Sequence, residues 1–536
     1  MPKTFYITTA IDYTNSPPHI GHAYEKVLAD VISRYHRLKG EKVFFLTGVD
    51  QHGQKVQQSA AKAGVPPAEF VKDITQRFVD LWKKLDVKYD EWAETIDPRH
   101  KKVVQGMLQR LFDEGQIYKD KQAGHYSVRQ EQFLTDKERG PDGEFGPEWG
   151  QVEFREEENY YFKLERHKQW LLDLIDKRSK TEKPFVIPDF RETELRNAVE
   201  KLSGDRQSGS DLCISRPKSR LNWGIELPFD KDFVNYVWFD ALSNYISFTG
   251  YDPKIAKYED QSQEFRDRWP ALQIIGKDIL IPAHGIYWPI MLHAIGFPDG
   301  AMPQLLVHGW WNLGGAKMSK SAGNVVDPNL LADEYGAESL RYFLVEEIPR
   351  GRDANFSTEL LLQRHNADLS NQVGNLVNRS LSMAHQYRAG SLKRSSQPSD
   401  EFGRLRSSSR KVRIFYQRHL DRCNPRLARG EVGVYVVRCN KFVDEQRPWS
   451  LAKDPLLKHK LDEVLYHLAE SLRIIAILIS PVLPRAAHGI FDQLKWKMDL
   501  SGKEERFSLK DAEWGKLPDG HIVGKPVPLF PRIEIK

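Results

Sequence analysis

The chain has 536 residues, 40% of them hydrophobic and 29% charged, with a formal net charge of +5, and this length excludes one compact core and predicts two or three domains. No run of 18 or more apolar residues occurs, and the opening "MPKTFYITTAIDYTN" lacks the charged-then-apolar layout of a secretory signal, so a membrane-spanning helix is excluded and a cytoplasmic protein is expected. Cys213, Cys423 and Cys439 lie far apart with no CxxC pair, which argues against a disulfide framework and a cysteine-rich zinc site.

The first fifty residues read as strand, loop, helix, strand. "KTFYITTAI" is a short β-rich run, and "DYTNSPPHIGH" is broken by Pro17, Pro18 and Gly21. "AYEKVLADVISRYHRLKG" then puts Val27, Leu28, Val31, Ile32 and Tyr35 on one helical stripe that stops at Gly40. "KVFFLTGVD" is nearly all apolar, as a strand buried on both faces of a parallel sheet should be, so the stretch is a βαβ unit. From about residue 115 to 220 the sequence turns charged and loop-rich, which predicts an insertion between two halves of a sheet domain. "VNYVWFDALSNYI", "ALQIIGKDIL" and "QLLVHGWW" then complete the sheet. Beyond about residue 360 the periodicity is helical, with "SLKRSSQPSDEFGRLRSSSR" as a Ser/Arg-rich connection between helical segments, and this half reads as an α-helical bundle. Residues 361–450 carry 17 Lys and Arg against 7 Asp and Glu, leaving 62 against 67 for the remainder. That polarity suits an anionic partner, and a solvated helical surface gives the same imbalance.

"PPHIGH" lies where the first strand ends and the helix begins, the place where open α/β sheets bind ligands. The amides and dipole of a helix N-terminus favour phosphate. His19 and His22 are three apart, so both rings can donate to phosphate oxygens, and Gly21 allows close approach to the backbone. A single histidine is as readily a hydrogen-bonded structural residue, and a metal reading lacks a third ligand nearby. Neither a Walker A sequence nor a G-x-G-x-x-G follows the first strand, so neither a P-loop NTPase nor an ordinary dinucleotide dehydrogenase is favoured. "GGAKMSKSAGN" supplies the ammonium groups of Lys317 and Lys320 on a loop flexed by Gly314, Gly315 and Gly323. Lysine, a compact charge on a long stem, can follow a polyphosphate as charge moves to its leaving group. In isolation such a loop is only solvent-facing.

"HIGH" at 19–22 and "KMSKS" at 317–321 match letter for letter the two signatures of class I aminoacyl-tRNA synthetases. The flanking sequence resembles the methionyl-tRNA synthetase family over nearly the whole chain, through "TGVDQHG", "VWFDALSNYI", "IGKDIL", "VGNLVNR", "VDEQRPWSLAK" and "LFPRI". The resemblance implies a Rossmann-like α/β parallel-sheet catalytic domain in two halves, 1–115 and 226–300, split by an inserted connective domain at 116–225. A region at 301–360 would carry the KMSKS loop and contact the tRNA stem, followed by an α-helical anticodon-binding bundle at 361–515 and a tail at 516–536.

It also implies the reaction and its residues: methionine and ATP give methionyl-adenylate and pyrophosphate, and methionine passes to the 3′ end of tRNA(Met), for protein synthesis including initiation. By resemblance, the methionine pocket falls on Ile11, Tyr13, Asp50, Trp238, Ala241, Leu242, Tyr245, Ile279 and His284, with Asp50 pairing with the substrate ammonium. The ATP site falls on His19, Gly21, His22, Glu25, Gly276, Asp278, His308, Gly309, Trp310 and Lys320. His19, His22, Lys317 and Lys320 are the catalytic group, and ATP is expected with magnesium. In the helical half, Asn375 and Arg379 lie opposite a stripe of Leu369, Val373, Leu376 and Val377, and with Trp449 they match the residues that read the CAU anticodon. The chain departs from the family at two places. Ser127 and Gln130 stand where a zinc-binding cysteine pair commonly occurs, so no structural zinc is expected, and the segment before His284 is one residue longer than usual. It ends without an appended dimerisation module, which favours a monomer.

Overall fold

Phe5–Thr9 (β1) forms the middle of a seven-stranded sheet in the computed structural model, which describes residues 3–127, 132–134, 136–140, 142–202, 211–236, 238–317, 325–394, 403–496 and 507–534. On one side β1 pairs with Val43–Asp50 (β3), whose far edge takes Asp12–Tyr13 (β2) and Glu91–Glu94 (β4). On the other lie Leu272–Gly276, Gln304–His308 and Val186–Ile187, in that order. All these pairings are parallel, and the strand order reverses at β1, which opens a crevice at the carboxyl ends of β1 and Leu272–Gly276. Alternate side chains serve different cores: Ile7, Phe45 and Ile274 face one, Tyr6, Phe44 and Ile275 the other. Layers on both faces explain why "KVFFLTGVD" has no polar alternation.

Two strands of this sheet come from outside the spans expected to build it. Val186–Ile187 lies within 116–225 and Gln304–His308 within 301–360. A two-residue strand is too short to carry a period, and only its register with Leu305 and Leu306 identifies it. The insertion also holds a four-stranded antiparallel sheet built on the long pair Ile117–Ser127 and Val152–Phe162, with helices Lys168–Arg178 and Asp189–Glu200.

Helix Ile20–Leu38 (α1) runs from the crevice to the helical half. At its far end Tyr35 and Lys39 bond Asp421 at 2.7 and 3.2 Å, just past helix Gly403–Leu420. In its middle, fully buried Asp30 accepts from Arg34 and from Arg341, each at 2.7 Å. Arg341 also donates to the carbonyls of Leu85, Pro481 and Val482, so one guanidinium ties the sheet half to the bundle. Arg341→Ala leaves Asp30 and three carbonyls with vacated partners, and a loss of about 3–5 kcal/mol is expected, read as a lower midpoint in urea unfolding.

The helical half is organised around Lys458–Ile479, buried from Glu463 to its end. The helical periodicity read beyond residue 360 changes pitch in the structure, being π-helical over His365–Gly374 and α-helical over Asn375–Arg388. The expected Ser/Arg-rich connection is also shorter than read. Residues 395–402 lie outside the described residues, and "GRLRSSSR" opens helix Gly403–Leu420. Ser408 and Ser409 occupy its buried side, so serines stand where apolar residues would have marked the period. Among the described residues no helix is long and apolar enough to cross a membrane.

Candidate active site

Two adjoining cavities open at the crevice, and they share Ala10, Ile11, Tyr13 and Ile279. The first, of about 290 Å³, is lined by every residue that the resemblance assigns to the amino-acid pocket, and also by Lys55 and Tyr236, which sequence reasoning missed. Helix Trp238–Ser247 supplies its aromatic and apolar wall. Tyr245 bonds His284 Nε2 at 2.7 Å, and His284 Nδ1 lies 2.9 Å from the Ile279 carbonyl. Burial lowers the His284 imidazole to about 4, so the ring is neutral, donates from Nδ1 and accepts the Tyr245 hydroxyl at Nε2. His284 lies in the stretch Leu280–Tyr287, which kinks at Ile281, and its ring lines the cavity.

Asp50 closes β3 at the floor of this cavity. Burial, then the charge of Asp240, pushes its carboxyl well above the ordinary range against the pull of the His52 backbone N–H. Asp240 shifts the other way. Burial would raise it, but His52 Nδ1 at 2.8 Å and His100 Nε2 at 2.7 Å outweigh that and hold it at about 2. The floor therefore presents one carboxyl whose anion lacks a cation and beneath it a second whose charge is already compensated.

The second cavity, of about 250 Å³, is lined by His19, Gly21, His22, Glu25, Gly276, Asp278, His308, Gly309 and Trp310, with Asp12 and Trp311 in addition. His19 caps α1: its Nδ1 accepts the Gly21 N–H at 3.1 Å, and His22 Nδ1 accepts the His19 N–H at 3.0 Å. A Cβ at Gly21 would come within 2.9 Å of the His19 ring, which is why the position is glycine. This corrects the expectation of open helix amides. The Ile20 N–H is bonded to the Val326 carbonyl at 3.2 Å and the Gly21 N–H to His19, so the first two amides of α1 are engaged within the protein. Each histidine uses Nδ1 as an acceptor, which puts the proton of the neutral ring on Nε2. The rings stack at 3.8 Å, and His22 Nε2 lies 4.0 Å from Asp12.

Across the cavity His308 Nε2 meets Glu25 at 3.0 Å. Gly309 passes so close to the backbone of Arg352 that a Cβ there would sit 2.0 Å from its carbonyl oxygen. Lys277 lies 3.9 Å from the Trp310 ring centre and 2.7 Å from Asp353, whose other oxygen accepts the Trp310 N–H at 2.9 Å. Gly314 and Gly315, with φ of +59° and +80°, make the tight turn between Trp311–Leu313 and Ala316–Lys317. They are hairpin residues and not loose flanks. Lys317 ends that hairpin in register with Asn312; Lys320 and Gly323 lie outside the described residues.

In the bundle, Asn375 is exposed and Leu369, Val373, Leu376 and Val377 are buried, in keeping with the predicted stripe. Arg379 is engaged, ion-paired with Asp444 at 2.7 Å. Trp449, 41% exposed, projects from the short helix Pro448–Leu451. In the insertion, Ser127 donates to the Trp149 carbonyl at 2.5 Å, and Tyr126 carries the guanidinium groups of Arg155 and Arg220 at 4.7 and 4.3 Å; Gln130 lies outside the described residues.

The family model described as "tRNA synthetases class I (M)" matches residues 5–142 and 149–381, which puts the chain among the class I aminoacyl-tRNA synthetases. A second, "Anticodon binding domain of methionyl tRNA ligase", matches residues 399–535. The chain is 40% identical to a methionine–tRNA ligase of Caldanaerobacter subterraneus subsp. tengcongensis over 539 residues, covering all of this chain and 80% of that protein. It is 39% identical to the ligase of Deinococcus radiodurans, covering all of this chain and 75% of the relative. Among solved structures, Mycobacterium tuberculosis methionyl-tRNA synthetase in complex with methionyl-adenylate superposes with a TM-score of 0.88 at 35% identity, covering 99% of this chain and 100% of that one. The chain belongs to the methionyl-tRNA synthetase family. It is an aminoacyl-tRNA ligase with a Rossmann-like catalytic domain and a helical anticodon-binding domain.

Proposed function

We propose that this chain activates L-methionine with ATP and transfers it to the 3′ end of tRNA(Met). The observation that carries this reading is the junction of the two cavities at Ala10, Ile11, Tyr13 and Ile279. A carboxylate held in the first meets an α-phosphorus held in the second. A carboxylate oxygen attacks phosphorus, the bond to the bridging oxygen of the β-phosphate breaks, and methionyl-adenylate and pyrophosphate result. A ribose hydroxyl of the terminal adenosine then attacks the carbonyl carbon, and AMP leaves.

Each cavity supplies positioning and charge, and no protein nucleophile is required. The thioether lies against Trp238 and Tyr245, a favourable sulfur–aromatic contact, and Asp50 takes the ammonium. ATP lies along His19, Gly21, His22 and Glu25, with adenine and ribose toward Gly276, Asp278, His308, Gly309 and Trp310. It enters as its magnesium complex, which lowers the net charge of the triphosphate. Lys320 carries the larger share of the charge developing on pyrophosphate and Lys317 a supporting one. We read the insertion as zinc-free, since Ser127 offers a hydroxyl already bonded to Trp149 where a thiolate would be needed. We read the protein as a monomer, because residues of one chain line both cavities, and as cytoplasmic on its family resemblance.

Exchange of labelled pyrophosphate into ATP, run with each of the twenty amino acids, is expected to require methionine. Exchange with another amino acid in its place, or with none, overturns the proposal. For the anticodon, Asn375 and Arg379 hydrogen-bond base edges after Arg379 gives up Asp444, and Trp449 stacks on a base. Loss of one stacking platform costs about 1–3 kcal/mol, so Trp449→Ala is expected to impair aminoacylation while leaving pyrophosphate exchange intact. Equal losses in both assays contradict the assignment.

A further inference from the structure

Lys26 lines neither cavity, yet it touches three residues that line the second. It follows Glu25 on α1, and its side chain is fully buried. The ammonium donates to the Ala10 carbonyl at 3.0 Å, to Asp12 Oδ1 at 2.5 Å and to Glu25 Oε1 at 3.0 Å, which uses its three donors. The Trp82 ring lies 5.8 Å from it in the core. Nothing in the packing alone calls for a cation here, because a buried ion pair is often no more stabilising than an apolar side chain of similar volume. What the position does contain is two carboxylates that also face the cavity.

Those carboxylates matter because the cavity, under the reading above, receives a polyanion. Asp12 faces Lys26 and His22, while Glu25 faces Lys26 and His308, with Tyr245 and His284 further off. Without Lys26 the wall would present two anions to the triphosphate. We infer that Lys26 is a positioning residue for ATP: its buried ammonium orders Asp12 and Glu25 and cancels one of their two charges, so that the wall admits the nucleotide. The inference rests on the second cavity being the ATP site. The electrostatics run in the same direction. Burial would raise the Glu25 carboxyl, but Lys26 and His308 hold it below the ordinary range. Burial would lower the Lys26 ammonium, but Asp12 and Glu25 raise it.

The test compares wild type, Lys26→Met and the double variant Lys26→Met/Asp12→Asn in methionine-dependent pyrophosphate exchange, with melting curves for each. Lys26→Met is expected to raise the KM for ATP by about tenfold, with the KM for methionine little changed. The double variant removes the cation together with one anion, and it is expected to return the KM for ATP to within about threefold of wild type. A merely structural lysine gives no such recovery. A folded Lys26→Met with wild-type KM for ATP overturns the inference, as does a double variant as impaired as the single one. If Lys26→Met does not fold, the double variant decides: near-wild-type KM supports the inference, and a tenfold rise overturns it. Absence of methionine-dependent exchange in wild type would instead overturn the functional reading.

Discussion

The His22→Ala variant is expected to form methionyl-adenylate about 10²–10³-fold more slowly, the usual effect of removing one donor aimed at developing charge, while binding methionine like wild type. His22 has two tasks. Its Nδ1 accepts the His19 N–H and completes the cap of α1, and its ring lines the second cavity with Nε2 4.0 Å from Asp12. Loss of the cap costs about 1 kcal/mol, too little to account for the rate. His22→Glu can accept the same N–H but cannot donate, and it adds an anion facing Asp12. It is expected to be at least as slow as His22→Ala. Single-turnover adenylate formation at saturating ATP gives the answer, and a loss below tenfold in the alanine variant refutes the assignment.

Asp50→Asn is expected to weaken methionine binding by about two orders of magnitude, within the 2–5 kcal/mol of breaking one side of a desolvated charge pair. The sign of its pH dependence follows from the surroundings of its carboxyl. Burial and the neighbouring charge of Asp240 raise the Asp50 carboxyl, and a proton bound there must leave before the ammonium can pair. Methionine affinity therefore falls as pH drops through that raised value, and binding releases protons to solvent above the number released by the asparagine variant. Calorimetric titration in buffers of different ionisation enthalpy measures this directly. An unchanged pH slope in Asp50→Asn would assign the proton to another group.

Much of this arrangement was legible in order along the chain. "PPHIGH" places His19, Gly21 and His22 at one turn, where the structure has them lining the second cavity, and "VWFDALSNYI" places Trp238, Ala241, Leu242 and Tyr245 on one helix lining the first. The parallel sheet was visible because "KVFFLTGVD" is nearly all apolar, with no polar alternation. What stayed hidden depends on partners distant in sequence. Asp240 sits in the quoted motif, but its clamp comes from His52 and His100, 188 and 140 residues away. Lys26 reads as a polar position on a helix, and only its contacts back to Ala10 and Asp12 reveal a wholly buried ammonium. The helix amides were misjudged for the same reason, since the acceptor for Ile20 is Val326. Arg379 looked unoccupied because Asp444 lies 65 residues on.

Helix α1 can finally be regarded as a lever. Its 19 residues span about 28 Å at the α-helical rise, from the histidines at the nucleotide cavity to the grip of Asp421 on Tyr35 and Lys39, with Arg341 and Asp30 as a fulcrum between. Turning such a rod by one degree about one end carries the other end about 0.5 Å, comparable to the tolerance within which a reacting pair must be held. One continuous helix thus joins the second cavity to the contacts of the helical half.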